Sequence, residues 1–232
     1  MADQGSGSSQ PIQPTTTTES GHRAARITLD DVRRALTLPG FDAVAAQQRM
    51  APTPRPFRRT GLAGQPQLAG VLIVLYPVDS ILTFVLMRRA EYEGVHSGQI
   101  SLPGGKQEGN ETFEQTALRE AHEEVGVSGP VEILGSLTPL YVPPSDFEIH
   151  PVVGSVPRCP VWKPDPAEVA EIIEVPLYDV LDPRLKVTEE WTRYGELFTV
   201  PLYRFGNHRV WGATAIILSE LEARLRTALN LA

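Results

Sequence analysis

The sequence predicts an α/β domain on a sheet of mixed strand direction. Three observations carry that expectation. Two apolar, β-branched runs, AGVLIVLY at 69–76 and ILTFVLMRR at 81–89, are joined around PVDS. One helix-period segment follows Asn110, with Phe113, Ala117, Leu118, Ala121 and Val125 on its apolar side. Strand-like runs then return at 131–142, 148–156, 171–181 and 197–205 without the regular alternation of a βαβ series.

The elements follow in chain order. Residues 1–24 begin MADQGSGSSQPIQPTTTTESG, rich in Gly, Ser, Thr and Pro, and are expected to form a disordered tail. Residues 25–232 then form one domain with an N-terminal helical extension, a size that 232 residues with 41% hydrophobic content can support. Thr28 has the chemistry of an N-cap, with Asp31 three residues on, for a helix over 29–36. LPGFDAVAAQQRMAP adds a turn and a second helical piece, and TPRPFRR is expected to be extended. Gly126 stands where the 113–125 helix needs a left-handed residue. The last segment, 213–229, has the pattern of an amphipathic helix. No internal repeat is present.

Charge and cysteine usage narrow the partners. A net charge of −7 makes nonspecific binding to nucleic acid or to a membrane surface a poor fit. The single cysteine, Cys159, permits no intrachain disulfide and is expected to be a small core residue in a reducing compartment. The longest apolar run, 68–78, is broken by Gly70 and Pro77 and is too short to cross a bilayer. The first twenty residues hold no Lys or Arg, unlike a signal or transit peptide. A soluble, cytoplasmic protein with a small-molecule partner is expected; a homodimer is compatible with the sequence, which does not fix the oligomeric state.

The chemistry gathers in LPGGKQEGNETFEQTALREAHEEVGV, residues 102–127. On a helix, Glu120, Glu123 and Glu124 share one face, where like charges destabilise one another. Three carboxylates on a rigid platform suit a hard divalent cation such as Mg²⁺ or Mn²⁺, which prefers oxygen ligands and shares its sphere with substrate phosphates. The glycine turn ahead of the helix lets backbone approach the same point. A zinc site of the HExxH type is excluded, because its second histidine would fall on Gly126.

The segment reads Gly105-x5-Glu111-x7-Arg119-Glu120-Ala121-x-Glu123-Glu124-x-Gly126-Val127 and resembles the signature of the Nudix hydrolases. Every fixed Gly, Glu and Arg is present, and Ala121 takes the bulky aliphatic position. The resemblance implies a Nudix-type α/β/α sandwich with a mixed sheet, and a metal-dependent hydrolase that splits a diphosphate linked to another moiety. It assigns Glu120, Glu123 and Glu124, with the Gly105 carbonyl, to the metal and its activated water. Glu111 would pair with Arg119 to hold the loop against the helix.

A second resemblance lies upstream. VLMRRAEYEGVHSGQISLPGG, residues 85–105, is similar to the segment preceding this signature in Nudix coenzyme A pyrophosphatases, LLTxRSx3Rx3Gx3FPGG. Leu86, Arg89, Gly98 and Pro103-Gly104-Gly105 match, while Ala90, Gly94 and Leu102 depart from it. The likeness implies hydrolysis of coenzyme A or its thioesters to 3′,5′-ADP and (acyl-)4′-phosphopantetheine. Gly94, in place of a second Arg, removes one phosphate contact and keeps ADP-ribose or another nucleoside diphosphate derivative as the alternative. A non-catalytic nucleotide-sensing module is the third reading, and the complete carboxylate set argues against it. Arg88, Arg89, His96 and Gly104 are the candidate substrate-binding residues. Glu168, Glu171 and Glu174 are spaced by three after KPDPA; each is a candidate additional carboxylate, or part of a surface helix. His150 and His208 are expected to pack or hydrogen-bond.

Overall fold

The computed structural model describes residues 15–16, 26–55, 64–91, 98–193 and 195–231. Of the expected tail, only Thr15–Thr16 (β1) lies among them, paired in parallel with Ile173 and Glu174. The rest of 1–24, and His96 and Gly94, lie outside the described residues.

Local sequence sets the first helices. Helix α1, Leu29–Leu36, starts at a reciprocal capping box. The Asp31 amide donates to the Thr28 hydroxyl at 3.2 Å, and the Thr28 amide donates to the Asp31 carboxylate at 2.7 Å. Helix α2, Ala43–Gln48, is capped by Asp42.

Strands β2 (Gln67–Val78) and β3 (Ile81–Arg89) form an antiparallel pair, and their two-residue turn places Asp79 and Ser80 at positive φ. Then come β4 (Ile100–Ser101), β5 (Gly104–Lys106), α3 (Phe113–Val125), β6 (Glu132–Ser136), β7 (Leu140–Val142), β8 (Phe147–Ser155) and β9 (Val169–Pro176). Among the described residues these strands make a nine-stranded sheet in the order β1-β9-β3-β2-β8-β6, with β4, β5 and β7 as short additions. β2 runs parallel to β8 and antiparallel to β3, which gives the mixed sheet. The chain closes with β10 (Lys186–Arg193), β11 (Glu196–Phe205), β12 (His208–Trp211) and α4 (Gly212–Ala228). β10–β12 form a separate antiparallel sheet.

The middle of β2, residues 69–76, is apolar and buried because both of its faces are covered. Val71, Ile73 and Leu75 join the layer that includes Val32 of α1 and Leu218 and Leu221 of α4. Leu72, Val74 and Tyr76 join Ala117, Ala121 and Val125 of α3 on the other side. The result is a helix–sheet–helix sandwich. α3 comes so close to β2 that a Cβ at Gly70 would stand 2.6 Å from the Phe113 carbonyl oxygen. That approach also explains a small residue, Ala121, facing the sheet.

Two expectations need correction here. α4 is not a surface helix with one polar face: Glu220, Glu222 and Arg224 are buried with its apolar residues. Buried charges require partners, and these have them. Glu220 accepts from Gln47 at 2.9 Å, from the Thr138 hydroxyl at 3.0 Å and from Arg224 at 2.9 Å. Glu222 accepts from Lys186 at 2.6 Å and from Tyr203 at 2.8 Å, and so fastens β10 and β11 to α4. Cys159 is exposed rather than a core residue. Its thiol is pushed up to about 11 by burial of the sulfur side and by the nearby Glu174 carboxylate. Among the described residues no helix is long and apolar enough to cross a membrane.

Asp179, in the 3-10 turn Leu177–Leu181, gives a pH-dependent test. Burial, with Asp182 adding repulsion, raises its carboxyl to about 6. A carboxyl raised in the folded state favours folding below its unfolded pKa, and that contribution is lost as pH rises through about 6. Asp179→Asn is therefore expected to stabilise the protein above pH 6 by on the order of 2 kcal/mol, with the gain vanishing near pH 4. Thermal melts of both proteins across that range check it; an equal gain at pH 4 and pH 8 would rule out the charge as its source.

Candidate active site

The site is built where β5 meets β2 and α3. Gly104, Gly105 and Lys106 pair with Val71, Gly70 and Ala69, and the Leu72 amide donates to the Pro103 carbonyl at 2.9 Å. Gly104 has φ 153°, and a Cβ there would lie 2.5 Å from the Gly70 carbonyl oxygen. Only glycine lets the two backbones lie so close. Helix α3 opens on a capping box between Thr112 and Gln115 and ends at Gly126, whose φ of 80° is left-handed. Both ends of the helix are thus fixed by local sequence, and its carboxylates are carried to the glycine turn.

The three carboxylates are graded from core to solvent. Their side chains are 2% (Glu124), 15% (Glu120) and 56% (Glu123) exposed. Glu124 accepts from the Gly104 amide at 2.7 Å and from Arg89 Nη1 at 3.3 Å. Burial outweighs both bonds and pushes its carboxyl up to about 8. Glu120 is also raised, by burial first, with Glu123 and Glu168 adding repulsion against the pull of Arg119. Its carboxylate lies against Gly105, where a Cβ would meet it at 2.5 Å.

Arg119 braces the cluster. Its Nε and Nη2 grip Glu111 at 2.8 and 3.1 Å, Nη1 reaches Glu120 at 2.8 Å and Glu123 at 3.0 Å, and Nη2 also donates to the Lys106 carbonyl at 3.0 Å. The Arg119 guanidinium holds the Glu111 carboxyl down at about 2. One side chain therefore ties the loop, the β5 backbone and the helix together.

As the side chains stand, among the described residues no three Asp, Glu, His or Cys groups converge on one point. Arg119 draws Glu120 and Glu123 one way, while Gly104 and Arg89 hold Glu124. The donor chemistry nevertheless fits a hard divalent cation. Three carboxylate side chains on one helix, with Glu120 lying against the Gly105 backbone, supply the oxygen ligands such a cation prefers.

A cleft of about 850 Å³ opens over the turn and includes Gly104, Gly105, Lys106 and Arg89 in its lining. The opposite wall comes from β10–β12 and the start of α4 and is largely aromatic and aliphatic. This volume lies within the usual range for small-molecule sites.

The other candidates fall elsewhere. Arg88 is not in the cleft lining; its Nε donates to Glu171 at 3.1 Å, and His208 Nε2 lies 3.4 Å from the same carboxylate. Glu171 and Glu174 lie on strand β9, not on a surface helix, and Glu174 is buried, accepting from Trp162 at 3.3 Å. Glu168 stays exposed, close enough to Glu120 and Glu124 to raise both. His150 stacks on Phe113 with ring centroids 3.4 Å apart. Sequence reasoning missed the wall of Trp191, Phe198 and Trp211. The signal was available: 186–193 and 197–205 flank Gly195 as the two arms of a hairpin.

A glycine turn and a carboxylate-bearing helix thus lie on a mixed sheet under a small-molecule cleft, an arrangement suited to a metal-assisted reaction of a phosphate-bearing compound. Residues 66–196 match the family described as NUDIX domain, and the chain belongs to the Nudix hydrolases. A human relative, mitochondrial coenzyme A diphosphatase NUDT8, is 34% identical over 161 residues, covering 67% of this chain and 68% of that protein. A Yersinia enterocolitica relative, the uncharacterized Nudix hydrolase NudL, is 36% identical over 152 residues, covering 60% of this chain and 72% of that protein. A solved structure of a MutT/nudix family protein from Enterococcus faecalis aligns with a TM-score of 0.49 at 18% identity, covering 74% of this chain and 70% of that one.

Proposed function

We propose that this Nudix pyrophosphatase hydrolyses the diphosphate of coenzyme A or its thioesters, giving 3′,5′-ADP and (acyl-)4′-phosphopantetheine with the help of Mg²⁺ or Mn²⁺. The observation that carries the reading is the placement of the Gly104-Gly105 turn, with Glu120 and Glu124 behind it, on the lining of a cleft far larger than a diphosphate needs. The relative named as a coenzyme A diphosphatase and the 85–105 segment support the substrate.

In this reading Glu120, Glu123 and Glu124, with the Gly105 carbonyl, hold the cation. A bound divalent cation would neutralise phosphate oxygens and lower the pKa of a water for attack at phosphorus. Arg119 and Glu111 keep the carboxylates in place. Arg89, in the cleft lining beside Gly104, contacts a phosphate. Arg88 acts from outside the cleft, through Glu171, to position the end of β3. Glu168 is the best placed extra carboxylate for a proton-transfer role. A cytoplasmic location belongs to the same proposal.

Mass analysis of products across coenzyme A, ADP-ribose, NADH and diadenosine polyphosphates tests the substrate. Cleavage of coenzyme A into the two named products is expected. A protein that ignores coenzyme A and its thioesters but cleaves ADP-ribose would overturn this substrate; Gly94 is the observation favouring that second reading. Activity on any substrate is expected to vanish in excess chelator and to return with Mn²⁺ or Mg²⁺. Full turnover in chelator would sink the metal assignment.

A further inference from the structure

The small sheet β10–β12 has no part in the carboxylate chemistry, yet it forms a wall of the cleft. Alternate residues of β11, namely Glu196, Phe198 and Val200, face the cavity, as cross-strand Trp191 and Arg193 do from β10. Trp211 of β12 packs edge-to-face on Trp191, with ring centroids 4.8 Å apart. Ile216 and Ile217 of α4 continue the apolar surface.

Two polar groups on this side are engaged within the protein. The Trp191 indole N–H donates to Glu189 at 2.9 Å and the Thr214 hydroxyl to the Ile100 carbonyl at 3.2 Å. Arg193 stands opposite Glu196 in the strand register, and its guanidinium lies 5.9 Å from the centre of the Trp211 ring. Apart from Arg193 and Glu196, this wall is aromatic and aliphatic, with few groups to read a base edge. It is well equipped to remove an apolar chain from water. The glycine turn and Arg89, by contrast, gather at the carboxylates.

We infer that the wall of Trp191, Phe198 and Trp211 holds the uncharged, apolar arm of the substrate and makes the enzyme select for a fatty-acyl thioester over the free thiol. This rests on the coenzyme A reading and names the part of the cleft that sets specificity within it. The fastening of β10 and β11 to α4 through Glu222 keeps the wall in place.

The experiment measures kcat/KM for coenzyme A, hexanoyl-coenzyme A and lauroyl-coenzyme A in the wild type, Phe198→Asp and Phe198→Ser, with a thermal melt of each. Two or three well-buried methylenes are enough for about a tenfold effect. The wild-type ratio of lauroyl-coenzyme A to coenzyme A is expected to be at least about 10, and to fall about tenfold in Phe198→Asp and less in Phe198→Ser. A wild type that cleaves coenzyme A with no gain from the acyl chain would overturn the inference and leave the substrate reading standing. So would a gain that survives both substitutions. No turnover of any of the three compounds by the wild type would remove the substrate reading, and the inference with it.

Discussion

Replacing Glu124 by glutamine is expected to cut turnover by at least about 100-fold while leaving a folded protein. Glu124 is the most buried carboxylate of the helix, and its oxygen takes the Gly104 amide at 2.7 Å. Glutamine keeps the size, and its carbonyl can still accept that bond. The negative charge that the proposed cation needs is gone, and the bond from Arg89 is lost if the new amide group turns toward it. Stability should hold or rise slightly, because burial already holds this carboxyl at about 8 and the charged form is costly. Rates at saturating Mn²⁺, together with thermal melts, separate the two effects. A variant with near wild-type turnover would remove Glu124 from the ligand set. A variant that fails to fold would show that Glu124 acts chiefly as the tie between turn and helix.

Much of the fold was legible because its signals are local. The Thr28–Asp31 box and the Gly126 terminus are spelled out within three or four residues, and α1 and α3 begin and end where they should. The apolar runs of β2 and β3 are local too. β10 was not seen because KVTEEWTR has only two apolar residues, Val187 and Trp191, and only its pairing with β11 makes it a strand. α4 misled for a related reason. Its charges look like a solvent face, but partners such as Lys186, Thr138 and Gln47 lie 36, 82 and 173 residues away. No periodicity carries that information.

The candidate site divides along the same line. The glutamates, Arg119 and the glycines could be read off because one turn and one helix carry them all. The contact of Arg89 with Glu124 spans 35 residues, and it places the arginine beside the turn in a way spacing alone could not. The spacing of Glu168, Glu171 and Glu174 suggested one helical face, whereas a turn and a strand separate their fates. Only Glu168 stays near the carboxylates, while Glu171 and Glu174 are taken up by Arg88 and Trp162.

The two adjacent glycines of the turn should respond differently in stability to the same added methyl group. At Gly105 the new Cβ meets the end of the Glu120 side chain, at 2.5 Å from its carboxyl carbon. That group is flexible and can swing aside, and Gly105 is not at positive φ, so the backbone accepts alanine. Gly105→Ala is therefore expected to melt within a few degrees of wild type but to lose about 10- to 100-fold in turnover, with a higher metal requirement, because Glu120 has been moved from its place. At Gly104 the Cβ meets the Gly70 carbonyl oxygen at 2.5 Å and the Val71 Cα at 2.6 Å, and φ is 153°. Backbone cannot swing aside, so the β5–β2 pairing must open. Gly104→Ala should lose stability by about 1–3 kcal/mol or more as well as activity. Paired melts and metal titrations of the two variants give the answer. If Gly105→Ala keeps both its rate and its metal requirement, the position of Glu120 against the turn is not what the chemistry depends on. If it instead unfolds like Gly104→Ala, the packing of that carboxylate on the glycine is structural.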